Sequence, residues 1–157
     1  MTQTIQPIRQ SVSVPLDPQR AFDLFTADMA SWWPADHHIG ETPIKEIVIE
    51  PFSGGRWFTR HVGGEETSTG FVTAYDPPHG LTVTWQIGVD WAYHDDLVTT
   101  LEVRFTPTED GRTLVELEHR DLEAYGEAAA QMQETFESPD AWGRTLDEFA
   151  RVAAERA

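Results

Sequence analysis

Three kinds of residue here are equipped for chemistry: imidazoles, the carboxylates near them, and tryptophans. His119 follows Val115 and Leu117 at alternate positions, so in an extended strand its ring shares their apolar side. A histidine so placed is either held by structural hydrogen bonds or available to a ligand or a proton transfer, with Asp121 and Glu123 close in sequence. Tyr75 and Arg56 fall near the ends of other extended stretches and could anchor the polar end of a ligand. His37-His38 and His94-Asp95-Asp96 contain metal-ligating types, but adjacent side chains diverge and no spacing gathers three ligands on one element, so no metal is expected. No Ser-His-acid triad or glycine-rich phosphate loop stands out, and the absence of cysteine excludes a thiol nucleophile. No catalytic set is assigned, and no cofactor is implied.

The tryptophans are candidates for pocket walls. Trp57, Trp85 and Trp142 are expected on inward-facing positions, while Trp32, Trp33 and Trp91 fall at rims, Trp91 because 88–96 reads as a loop. Apart from Trp91, each reads first as plain core and only second as a ligand contact. To act as walls, they need a sheet with one apolar side and an element that covers it incompletely.

Such a scaffold is legible. Residues 6–16 alternate around Ile8, Val12 and Val14, and Asp17-Pro18 then supplies a cap and a first helical residue for a helix carrying Ala21, Phe22, Phe25 and Met29. Further strands are expected at 44–50, 56–62, 67–75, 81–88, 97–106 and 113–120. They are separated by Gly54-Gly55, Gly63-Gly64, Pro77-Pro78-His79-Gly80 and Asp110-Gly111. Links this short join antiparallel neighbours. Leu81, Val83, Trp85 and Ile87 share one side, as do Leu97, Leu101, Val103 and Phe105, opposite Thr82, Thr84, Gln86, Glu102 and Arg104. A short helix is expected within 122–136. A final helix of nineteen residues is expected to start at Ser138-Pro139 with Trp142, Leu146, Phe149 and Ala153 on one stripe. The order is α+β, and a seven-stranded antiparallel sheet must twist and curl over that helix. Unless aromatic side chains fill it, a pocket remains between them.

Composition bounds the partners. The 157 residues fit one domain spanning 1–157, and the 39% hydrophobic content with six Trp belongs to an ordered chain. A net charge of −16 repels phosphate backbones and anionic membranes, so neither nucleic acid nor membrane is expected. The acids of 116–137 read as a solvated face. With no signal-peptide core and no long apolar run, the expected location is cytoplasmic.

Several segments carry a resemblance: Val14-Pro15-Leu16-Asp17-Pro18 leading into Ala21-Phe22 and Trp32-Trp33, Gly70-Phe71-Val72 with Asp76-Pro77-Pro78, and Leu81-Thr82-Val83-Thr84-Trp85. Further on come Thr100-Leu101-Glu102-Val103, the strand Thr113-Leu114-Val115-Glu116-Leu117, and His119-Arg120 before a tryptophan-led last helix. In order and spacing these resemble the family named for the activator of the ninety-kilodalton heat-shock protein ATPase, its C-terminal domain, within the START-like or SRPBCC superfamily. The likeness spans about Ile8 to Val152. Asp140-Ala141-Trp142-Gly143 departs from it, since relatives often place glycine before the tryptophan. The resemblance implies a helix-grip fold and no shared catalytic motif.

The reading favoured on these grounds is a protein that binds a small apolar or aromatic molecule. The expected pocket is lined by Trp57, Tyr75, Trp85, Trp91, Leu101, Val103, Leu117, His119, Trp142 and Leu146. Two other readings stand beside it: a protein-interaction module of co-chaperone or regulatory type, and a cyclase- or aromatase-like enzyme in which an imidazole moves protons. A monomer and a homodimer are equally compatible with the sequence.

Overall fold

The computed structural model describes residues 5–37 and 39–157. The expected strands form as β1 (Ile8–Val14), β2 (Ile44–Ile49), β3 (Arg56–His61), β4 (Glu66–Asp76), β5 (Gly80–Trp85), β6 (Thr99–Pro107) and β7 (Thr113–Arg120). They make one antiparallel sheet in the order β1-β7-β6-β5-β4-β3-β2. The meander runs from β2 to β7, and β1 closes against β7 with Val12 opposite Val115. Register shifts in β3–β4 at Trp57/Phe58 and in β4–β5 at Val72/Ala74 let the sheet bend. With its covering helices, this is the START-like helix-grip arrangement.

Between β1 and β2 lie α1 (Pro18–Ala27) and a 3₁₀ turn, Met29–Ser31. Asp17 caps α1 as its sequence demands, accepting from the Arg20 amide at 2.8 Å. After β7 come a 3₁₀ turn at Leu122–Ala128, α2 (Ala129–Glu137), a wide turn at Pro139–Gly143 and α3 (Arg144–Glu155). The last helix is therefore shorter than expected. Ala141 has φ −95° and ψ −124°, outside helical geometry, and the Ser138 hydroxyl donates to the Thr135 carbonyl at 2.8 Å instead of capping. Regular helix begins only at Arg144. Among the described residues, no helix is long and apolar enough to cross a membrane.

The buried side of the sheet carries the residues that alternation assigned, including Leu81, Val83, Trp85, Leu101, Val103, Phe105, Val115 and Leu117. Against them pack Phe22 and Phe25 of α1 and Leu146, Phe149 and Val152 of α3. Phe25 lies 5.5 Å from Phe149 and 5.7 Å from Phe105, and Trp32 lies 5.1 Å from Phe149, all edge-on.

The wet side is interrupted in two places. Phe58 is buried there beneath Arg56 and Arg60, whose guanidinium carbons stand 4.1 and 5.2 Å from its ring centre. Thr84 and Gln86, expected to face water, are also buried, because the segment after β5 folds back and Gln86 Nε2 donates to the His94 carbonyl at 3.2 Å. This crossing requires Gly70. A Cβ there would stand 1.9 Å from the Thr84 carbonyl oxygen. Gly70→Ala should cost about 2–3 kcal/mol in urea unfolding, the scale of overpacking against backbone; an unshifted midpoint would show that the strands can part without cost.

Candidate functional site

Filling by aromatic rings leaves little space under the centre of the sheet. Leu101, Val103 and Leu117, with Met29 and Trp32, surround a void of about 10 Å³, no more than one water could occupy. An open, largely apolar cleft of about 420 Å³ is at one end of the molecule, apart from a polar depression of about 330 Å³ on the outer sheet face among Arg9, Glu102, Arg104 and Glu118. The walls of the cleft come from four segments. Trp33, Asp36, His37 and Ile39 follow α1, Trp85 ends β5 with Ile87 just beyond it, Thr135 and Phe136 end α2, and Asp140 to Trp142 form the turn before α3. Trp91 stands at the mouth, 49% exposed, on a backbone with φ 58°.

Local sequence explains these placements. Pro34 ends the helical region just after Trp33, turning the chain across the sheet end, and the Trp33 indole N–H donates to the His37 carbonyl at 2.7 Å. The non-helical Ala141 swings Trp142 away from the α3 stripe, so that its ring meets Trp85 at 5.3 Å and Trp33 at 5.9 Å. Tyr125 donates to the Ile87 carbonyl at 2.7 Å, tying the turn after β7 to the extension of β5. Burial pushes its phenol above the ordinary tyrosine range. Trp85 Nε1, buried nearby, makes no hydrogen bond in normal geometry among the described residues.

His119 is fully buried behind this wall, with both ring nitrogens committed. Trp142 Nε1 donates to Nδ1 at 3.1 Å, so the proton sits on Nε2 and is donated to Thr99 Oγ1 at 2.8 Å. Thr99 in turn donates to the Trp85 carbonyl at 2.7 Å. The chain of donors ties the turn before α3 to β7, β6 and β5. Burial lowers the imidazole pKa to about 3, so His119 is neutral and structural, without a free lone pair for proton transfer.

The titratable groups that do border the cleft are Asp36, His37 and Asp140. They converge on Arg144. Its Nη2 donates to Asp36 Oδ1 at 2.9 Å, while Nη1 donates to Asp36 Oδ2 at 3.1 Å and to Asp140 Oδ1 at 3.0 Å. Nη1 also lies 3.4 Å from His37 Nε2. The hydrogen bond from Arg144 holds the Asp36 carboxyl below its usual range, and partial burial, the largest influence on His37, lowers its imidazole pKa. Among the described residues no three His, Asp or Glu side chains are grouped so that they could hold a metal ion; Asp36, His37 and Asp140 surround the Arg144 guanidinium instead. His38, half of one sequence candidate, lies outside them. His94 instead pairs with Asp90, at 2.9 Å.

The expected site residues thus separate. Trp85, Trp91 and Trp142 border the cleft together. Trp57 borders an adjoining recess of about 40 Å³ that shares Trp33, His37, Ile39 and Trp85 with it. Leu101, Val103, Leu117 and Leu146 are interior packing. Tyr75 packs edge-on against Phe22 at 5.4 Å, and Arg56 lies over Phe58 on the outer face, so neither reaches the cleft. Sequence reasoning missed Asp36, Ile39, Phe136 and Asp140 as cleft residues. Only the Trp33-Pro34 break hinted that a segment crosses there.

Comparison with known proteins agrees with this architecture. The family model described as Activator of Hsp90 ATPase homolog 1-like protein matches residues 15–154. The solved structure of Txn09, an anthrahydroquino-γ-pyrone synthase complexed with SUM, is 35% identical, with 97% of this chain and 99% of that one covered and a TM-score of 0.66. CalC from Micromonospora echinospora, a self-sacrificing resistance protein, shares the fold at 24% identity and TM-score 0.71, over 96% of both chains. NE0264 from Nitrosomonas europaea does so at 12% and 0.64, also over 96% of each. Among curated proteins no sequence match was found. The family match over almost the whole length, together with the 35% identical synthase, establishes that the chain belongs to the Activator of Hsp90 ATPase homolog 1-like family.

Proposed function

We propose that the cleft binds a planar aromatic small molecule. The observation that carries this is the 420 Å³ opening bordered by Trp33, Trp85, Trp91 and Trp142, a size and lining suited to a fused-ring ligand. Indoles offer large, stiff, flat contact area that loses little side-chain freedom on binding. Txn09, named for a product with a fused aromatic part, supports a ligand of that class. It also supports a second reading, that the bound molecule undergoes ring closure. A protein-docking role rests on the net charge and the family's name, and the cleft carries the small-molecule reading further.

Alizarin, a dihydroxyanthraquinone, tests the proposal. Titrated into the protein, it should quench tryptophan fluorescence saturably. Trp91→Ala removes one exposed ring and should weaken the apparent Kd by about 3- to 10-fold, the worth of one aromatic pair. Quenching that never saturates, or a Trp91→Ala affinity equal to wild type, would dismantle the assignment.

A further inference from the structure

Resting on the cleft reading above, we infer that His37 is the base that removes a proton from a phenolic or enolic oxygen of the bound aromatic molecule, preparing that oxygen for ring closure. Among the described residues, His37 is the one imidazole bordering the cleft. His119 is buried with both nitrogens occupied, and His61 is held between the Thr42 carbonyl and Thr67 Oγ1 on the β3–β4 side.

His37 is poised differently from both. Its Nε2 faces Arg144 Nη1, a donor, so the neutral ring carries its proton on Nδ1 and presents a lone pair at Nε2. That contact, at 3.4 Å, is long, because Nη1 is already committed to Asp36 and Asp140. An O–H of the ligand can take its place. The surrounding charges are Asp36, Asp140 and Arg144, two carboxylates against one guanidinium, so an imidazolium formed by proton transfer meets net negative charge at the mouth. Partial burial disfavours the charged form of the imidazole, which leaves Nε2 ready to accept. The Trp33 indole fixes the His37 main chain from inside the same wall.

The chemistry balances without a further reagent. The substrate O–H bond breaks, its proton goes to Nε2 and the oxygen keeps the electron pair. The oxygen attacks a carbonyl carbon of the same molecule placed to form a six-membered ring, a C–O bond forms, and the carbonyl electrons move to its oxygen, which takes a proton back from Nε2. Loss of water, the former carbonyl oxygen leaving with that proton and one from the adjacent carbon, restores conjugation. The substrate class is an aromatic carrying a hydroxyl or enol within reach of a β-dicarbonyl chain. Arg144 and Asp140 act through His37 and are positioning residues.

Alizarin separates the two readings, because its visible band moves to longer wavelength when its phenolic proton leaves. With each protein saturated, the bound dye should ionise in wild type at a pH lower by at least about one unit, a tenfold change in the ionised ratio, than in His37→Gln or His37→Phe. In parallel, ¹⁵N spectra of labelled wild type should show one imidazole converting from the neutral form to imidazolium on saturation, absent from the two variants. Saturable quenching with an equal dye pKa in wild type and variants, or with every imidazole unchanged, overturns the role of His37 alone. No saturable quenching of wild type overturns the cleft reading and this one together.

Discussion

Replacing Trp142 by alanine should lower the free energy of unfolding by about 3–5 kcal/mol, read from urea or guanidinium midpoints, as for other large-to-small changes at buried aromatics. The ring is only 4% exposed and packs against Trp85, Trp33 and His119 at 5.3, 5.9 and 5.7 Å. Its loss opens a cavity on the inner wall of the cleft and also strips His119 Nδ1 of its donor. Trp142→Phe separates the two contributions. It keeps most of the packing, and its cost should fall near the 1–3 kcal/mol of a buried acceptor left unpaired. A melting temperature within a degree of wild type for Trp142→Ala would remove this residue from the structural core. Equal losses for the two variants would assign the whole effect to the hydrogen bond.

Trp142 also shows where sequence patterning stopped informing. Strand alternation located all seven strands to within about two residues at most ends, because one apolar side is a strict period-two constraint and each hairpin carries its own turn residues. Trp142, Leu146 and Phe149 likewise have helical spacing, and Ser138-Pro139 reads as a helix start. A single residue, Ala141, leaves helical geometry and hands Trp142 to the cleft, and no periodicity records one non-helical residue. The burial of Gln86 was equally hidden, since it depends on a loop folding back rather than on strand parity.

The location of the opening was hidden for a different reason. Whether Phe22, Phe25, Trp32, Phe105 and Phe149 fill the space beneath the sheet is decided by volumes and ring angles in three dimensions. They fill the centre, and the pocket moves to the end where β5 meets loops. Loop residues such as Asp36 and Asp140 have no period to betray their facing. His119, strongly placed by alternation, is in fact on the inward side, yet its bonding makes it a brace, while the less conspicuous His37 borders the solvent-accessible cleft.

That brace makes the fold acid-sensitive. The imidazole of His119 titrates near 6.5 in an unfolded chain and near 3 in the folded one, because burial disfavours its charge. Between those values the unfolded state holds the extra proton, so stability rises with pH through this window and is lost as the pH falls below 6.5. The loss relative to neutral pH is about 2–3 kcal/mol at pH 4.5 and on the order of 4–5 kcal/mol by pH 3. His37, also lowered, acts in the same direction; His94, raised by its bond to Asp90, acts in the opposite one. Carboxylates such as Glu102, held low by hydrogen bonds from Arg104 and Arg120, lose their contribution mainly below the ordinary carboxylate range, leaving pH 4.5–6.5 to the imidazoles. His119→Gln retains an acceptor for Trp142 and a donor for Thr99 but cannot titrate. Its urea midpoint should therefore be much flatter over that interval than that of wild type, whatever its stability at pH 7. If the two slopes coincide, the proton taken up on acid unfolding belongs to another group, and the Trp142–His119–Thr99 chain must tolerate a charged ring.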